Sequence, residues 1–260
     1  MLAFIGGTGL NQLPGFEVER VAQVQTPYQD AAVPVARGHL PGDSAAVHFL
    51  PRHGDGHTVP PHRINYRANM FALRELGITS VLAVNAVGGI HRQMGPGVIA
   101  IPEQIIDYTH GRAHTYFDGD AVDIESVDRF TASVTHIDFT EPYNRSLRQL
   151  LMASADELNL PVWPQGVYGA TQGPRLESVA EVRRLQNDGC DMVGMTGMPE
   201  AALARELGLA YASVCLSVNW AAGLSDDVIT MPAIRAVLAQ GMDQIHHLLL
   251  TAARRFPEMR

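Results

Sequence analysis

Short apolar runs alternate with helical patterns along this chain, and several of the runs end in glycine-rich or polar turns. Residues 2–5, 33–36, 45–50, 81–84, 98–106, 162–168, 192–193 and 211–218 read as strands. Residues 65–76, 142–158, 177–186, 199–207 and 232–254 read as helices. In the last, Ile234, Val237, Leu238, Met242, Ile245, Leu248 and Leu249 recur at helical spacing. Strands dispersed between helices predict an α/β fold with a central mixed β-sheet flanked by helices. A chain of 260 residues is long enough for one large core, and no repeat or linker divides it, so residues 1–260 are expected to form a single domain. The segment 117–133 is polar and acidic and reads as an inserted surface loop.

Composition narrows the function. Hydrophobic residues make up 46% and charged residues 18%, as in a folded globular protein. The formal net charge of −8 argues against nucleic acid and anionic membrane as partners, but leaves room for a small anion held by a local cluster of donors. No apolar run reaches the roughly 18 residues of a membrane span. The first ten residues lack the basic and long apolar regions of a signal peptide, so a cytoplasmic location is expected. Cys190 and Cys215 adjoin apolar runs and read most simply as buried free thiols in a reducing compartment.

Each turn that carries chemistry has two readings. Gly6-Gly7-Thr8-Gly9 follows a strand and suits backbone N–H donation to an anion, with the Thr8 hydroxyl added; it is equally a plain tight turn. It is neither a Walker loop nor a dinucleotide fingerprint, because no Gly-Lys-Ser/Thr follows and Gln12 stands where a third glycine belongs. Arg52-His53-Gly54 at another strand's end suits a phosphate clamp. His53, His57 and His62 match no zinc spacing, so no metal is expected. Asn85-Ala86-Val87-Gly88-Gly89 is a further strand-to-glycine turn. In Thr171-Gln172-Gly173-Pro174-Arg175-Leu176-Glu177, which leads into a helix, Glu177 either complements a helix dipole or faces a ligand, and Arg175 is a candidate surface pair partner. Asn219 ends an apolar strand. It is either a C-terminal strand cap or a reader of a heterocycle edge, since a carboxamide both donates and accepts.

Taken in order, Gly-Gly-Thr-Gly, Arg-His-Gly, Asn-Ala-x-Gly-Gly, Gly-Pro-Arg-x-Glu and the Met-Thr-x-x-Pro-Glu of Met195–Glu200 resemble the trimeric nucleoside phosphorylase family. This is the branch that contains purine nucleoside phosphorylase and methylthioadenosine phosphorylase. The resemblance runs from Gly6 to the last helix and implies the nucleoside phosphorylase fold and no cofactor, with inorganic phosphate as co-substrate. By this match Thr8, Arg52, His53, Ala86 and Thr196 surround the phosphate. Met195 lies against the ribose, and Leu176 packs on the purine. Glu177 and Asn219 face the purine edge and form the catalytic pair. The segment holding His136 resembles one that reaches the 5′ pocket of a neighbouring subunit, which implies a homotrimer.

Two positions bear on the substrate. A 6-oxopurine offers N1–H and O6, which Glu177 and Asn219 complement; adenine reverses that edge. Adenine-specific relatives carry Asp at the place of Asn219 and a second Asp where this chain has Ala221. Relatives that act on ordinary 6-oxopurine nucleosides place a His on the last helix, where Ile234 stands here, with Met231 one turn earlier. An apolar sugar end with a 6-oxopurine base end implies phosphorolysis of S-methyl-5′-thioinosine. Methylthioadenosine, or inosine and guanosine, are the alternative substrates.

Overall fold

The computed structural model of the chain describes residues 1–10, 13–42, 45–119 and 135–259. Most of the expected surface loop 117–133 therefore lies outside the described residues. The element order is β1 (Leu2–Gly6), β2 (Glu17–Thr26), β3 (Gln29–His39), β4 (Ala46–Pro51), α1 (Tyr66–Glu75), β5 (Ser80–Gly89), β6 (Ile99–Ala100), β7 (Gln104–Asp107), α2 (Arg145–Glu157), β8 (Val162–Trp163), β9 (Val167–Ala170), α3 (Val179–Asn187), β10 (Met192–Gly194), α4 (Glu200–Glu206), β11 (Ala210–Trp220) and α5 (Met231–Arg255).

The strands join one mixed sheet in the order β2-β3-β4-β1-β5-β10-β9-β7, with β11 on β5 and β6, and β8 on β6. β1 runs parallel to β4 and β5, and β11 runs parallel to β5. These central strands are apolar on both faces because helices cover both. Ala3, Ile5, Val81, Ala83, Tyr211 and Cys215 point to the core shared with α1 and α4. Leu2, Phe4, Leu82, Val84, Ala212, Val214 and Leu216 point to the core shared with α2 and α5. Both cysteines are buried and free.

The helix starts have local causes. Asn65 and Asn144 each accept a backbone N–H three residues on, from Ala68 and Leu147 at 3.0 Å, and so cap α1 and α2. Ser178 and Glu181 form a capping box on α3. α3 therefore begins two residues later than the pattern predicts, and Glu177 lies before the cap instead of in the first turn.

Two further departures from the sequence reading have physical reasons. The run 98–106 splits into β6 and β7 around Pro102, and 162–168 splits into β8 and β9 around Pro164 and Gly166. β2 is missed because its side chains are mostly exposed and polar. Asn219 is the penultimate residue of β11 and its side chain donates to the carbonyl of the last, Trp220, at 2.7 Å, so it caps the strand end; the register on β5 shifts between Ser217 and Asn219.

Candidate active site

Because β1, β4, β5 and β11 are parallel, their carboxyl ends share one edge of the sheet, where ligands of open α/β sheets bind. β10 is antiparallel to β5. Its continuation returns along β5, which brings Met195 and Thr196 to the same edge. A cavity of about 260 Å³ opens there. Its wall holds Thr8 from the turn after β1, Arg52 and His53 after β4, and Ala86 from β5. Met195 and Thr196 follow β10, Leu176 and Glu177 precede α3, Asn219 lies on β11, and Met231 and Ile234 open α5. His136 is the site residue expected from the sequence that is absent from this wall; its side chain is exposed.

Arg52 is not an open fork. Its Nε and Nη2 donate to the two carboxylate oxygens of Glu200, both at 2.7 Å, and Nη1 donates to the Val84 carbonyl at 2.9 Å. Both side chains are essentially without solvent contact. Burial alone disfavours the guanidinium charge, but Glu200 reverses this and holds the pKa of Arg52 above its ordinary value. Tyr211 donates a further bond to Glu200 at 2.8 Å. A side chain at Gly7 has no room, since a Cβ there would lie 2.3 Å from the Val84 carbonyl and 2.9 Å from Arg52 Nη1. The glycine turn is therefore required for the backbone to approach the guanidinium.

His53 is neutral. Burial first, and the charge of Arg52 second, push its pKa down to about 4. Its Nδ1 lies 2.8 Å from the Val59 carbonyl, which only accepts, so Nδ1 carries the proton and Nε2 is the acceptor. His57 packs on His53 with ring centroids 4.1 Å apart. Among the described residues no three His, Cys, Asp or Glu side chains converge as a metal site.

Thr196 Oγ1 donates to Asn85 Oδ1 at 2.8 Å, and Asn85 Nδ2 donates to Ser213. The Thr196 backbone N–H is directed at the Tyr168 hydroxyl, 3.3 Å away. Thr196 is thus held from both sides by buried polar groups that have their own partners.

The shift in β11 sets a further part of the cavity lining. Strand alternation sends neighbouring side chains to opposite faces, yet Val218 and Asn219 both line the cavity, because the extra residue re-aims the chain. Asn219 Nδ2 donates to the Trp220 carbonyl at 2.7 Å. A carbonyl cannot donate, so the amide cannot turn over without losing that bond. One N–H and Oδ1 remain for a ligand.

Glu177, also in the cavity lining, accepts from Thr171 Oγ1 at 2.6 Å. Arg175 is the surface pair partner expected of it, meeting Glu181 through two bonds of 2.7 and 2.8 Å. Arg112 joins the two ligand-bearing segments. It donates to the carbonyls of Met195, Met198, Thr171 and Gln172, and to the Gln172 side chain.

Arg112 and Tyr168 escaped the sequence reading. Glu200 and Thr171 stand in the motifs, as the last residue of the Met-Thr-x-x-Pro-Glu run and the first of residues 171–177, but the sequence assigns no role to either.

The sequence pattern of the phosphorylase superfamily matches residues 2–254. The chain belongs to that superfamily, and among its relatives are nucleoside phosphorylases, which are pentosyltransferases. A probable S-methyl-5′-thioinosine phosphorylase of Pseudomonas syringae pv. tomato is 50% identical over 243 residues, 94% of each chain. The 6-oxopurine nucleoside phosphorylase of Pyrococcus furiosus is 42% identical over 259 residues, 100% of this chain and 94% of its own. The methylthioadenosine phosphorylase of Schistosoma mansoni in complex with adenine superposes with a TM-score of 0.89 at 28% identity, covering 99% of this chain and 92% of its own.

Proposed function

We propose that this chain phosphorolyses S-methyl-5′-thioinosine, giving hypoxanthine and 5-methylthioribose 1-phosphate. The observation that carries this reading is one cavity wall that holds Glu177 and Asn219 together with the apolar Met231 and Ile234. The relatives named for the methylthioinosine reaction, at 45–50% identity over nine-tenths or more of this chain, support it.

Thr8, Arg52, His53, Ala86 and Thr196 hold the phosphate. Glu200 cancels the charge of Arg52 and His53 is neutral, so this end works by directed hydrogen bonds more than by net charge. The Nε2 of His53 is suited to accept a hydrogen bond from the P–OH of a hydrogen phosphate. A phosphate oxygen attacks the anomeric carbon as the bond to purine N9 breaks. The transition state has oxocarbenium character, as in glycoside cleavage. The bonding electron pair leaves with the base and spreads towards N7 and O6, where the Asn219 N–H stabilises it. The proton that hydrogen phosphate gives up on forming the ester passes through solvent to the base, which departs as hypoxanthine. Glu177 accepts from N1–H, Leu176 packs on the base and Met195 on the ribose. No metal or organic cofactor enters this scheme.

Phosphate-dependent base release from methylthioinosine, methylthioadenosine and inosine, measured under identical conditions, tests the assignment. Methylthioinosine is expected to lead. A lead for methylthioadenosine would refute the base reading, and parity with inosine would refute the sugar reading.

Ile234 is 8% exposed and Met231 is 53% exposed, so a methylthio group would cover apolar surface that is open without it. Burying that group contributes about 1–3 kcal/mol. Ile234→His is therefore expected to shift the ratio of kcat/KM from methylthioinosine towards inosine by at least about tenfold; an unchanged ratio places the 5′ group elsewhere.

The exposed His136 fits a role in a neighbouring site, and the assembly we infer is a homotrimer. Sedimentation should give three times the chain mass. His136→Ala should lower turnover with the trimer intact. A wild-type rate would remove this segment from the site.

A further inference from the structure

We infer that Thr171 is a positioning residue for base selection: its hydroxyl holds one oxygen of Glu177 so that the other faces the purine. This rests on the base-reading role proposed above for Glu177.

Glu177 lies between two recesses. It lines the substrate cavity on one side and, on the other, a polar recess that also contains Thr171. Thr171 is absent from the wall of the substrate cavity. It therefore acts on a substrate only through Glu177.

The direction of the bond is unambiguous. An ionised carboxylate only accepts, so the hydroxyl donates to Oε1, at 2.6 Å. The Gly194 carbonyl is a second acceptor for the same hydroxyl at 3.4 Å, too long to compete. Among the described residues no other hydrogen bond to the Glu177 side chain is formed. Arg175, two residues earlier, is committed to Glu181. Oε2 is left to accept from a ligand.

The Thr171 backbone is itself anchored. Its N–H donates to the Gly194 carbonyl at 2.8 Å, and its carbonyl accepts from Arg112 at 3.2 Å. A β-branched side chain on a pinned backbone has few rotamers. The hydroxyl is thus a fixed point tied to the strand that carries Met195 and Thr196.

A carboxylate held this way offers an acceptor to the base and no donor. A base with N1–H satisfies it; the bare N1 of adenine does not. Without Thr171, Glu177 is free to swing away, and the acceptor that favours N1–H over the bare N1 of adenine is no longer fixed. Loss of the hydroxyl should therefore change which base is chosen, beyond any change in rate.

Thr171→Val keeps the shape and removes the donor; Thr171→Ser keeps the donor. For both variants and wild type, the kcat/KM ratio of methylthioinosine to methylthioadenosine and the dissociation constants of free hypoxanthine and adenine are measured. Thr171→Val is expected to lower the ratio at least about tenfold, and to weaken hypoxanthine while sparing adenine, with the KM for phosphate unchanged. Thr171→Ser is expected to restore both readouts. A Val variant with the wild-type ratio and hypoxanthine affinity overturns the inference. So does equal loss on both bases without rescue by Ser, which would mark a structural role. If wild type itself binds adenine as well as hypoxanthine, the base reading of Glu177 fails first, and that result is visible before any variant is made.

Discussion

Glu200→Ala is expected to destabilise the protein by about 3–5 kcal/mol and to abolish phosphorolysis, because it strands a buried charge. Arg52 has no solvent to turn to: its side chain is fully enclosed, and two of its three nitrogens end on Glu200. Tyr211 would lose its acceptor in the same step. Glu200→Gln should be milder, since an amide oxygen still accepts one guanidinium bond. The measurement is urea unfolding of both variants with and without phosphate. Phosphate should recover part of the loss in Glu200→Ala, because it returns a negative charge to the guanidinium and binds only the folded state. A Glu200→Ala protein as stable as wild type would show that the Arg52–Glu200 pair contributes nothing net.

Asn219→Asp is expected to lower kcat/KM for the 6-oxopurine nucleoside by about 10²–10³-fold, the usual cost of losing a donor to developing negative charge. The exchange also removes the N–H that meets the Trp220 carbonyl at 2.7 Å. A carboxylate oxygen in that place faces another acceptor, so it must swing away or take a proton. In its protonated form it can serve the edge of an adenine, and the ratio of efficiencies should move towards the 6-amino substrate. Ala221, buried two residues on, supplies no second carboxylate, so the conversion should be partial. Steady-state kinetics on the two methylthio nucleosides decide it. An unchanged ratio with an unchanged rate would remove Asn219 from both base reading and leaving-group stabilisation.

Function is legible in the sequence where it depends on backbone chemistry. Gly7 must lack a side chain to lie against Val84 and Arg52, and such a need leaves a glycine in the chain that can be read without coordinates. The continuous apolar runs of β1, β5 and β11 likewise follow from burial on both faces. Function is not legible in the sequence where a residue acts through a distant partner. Arg112 sits in a polar stretch with no periodicity, yet its guanidinium bridges carbonyls some 60 to 86 residues away. Thr171 reads as an ordinary turn residue until its hydroxyl is seen on Glu177.

By itself, then, the sequence determined the α/β class, the family, and a set of cavity residues from Thr8 to Ile234. Strand ends, glycines and amide or charged side chains are local requirements and leave local marks. Only the tertiary structure decided that Arg52 spends its fork on Glu200, and that β11 runs past Asn219 with a shift that turns Val218 and Asn219 to one side. Both are contacts between segments far apart in the chain. Each is set by which polar groups are left without partners when the sheet closes against its helices, and no stretch of sequence taken alone records that.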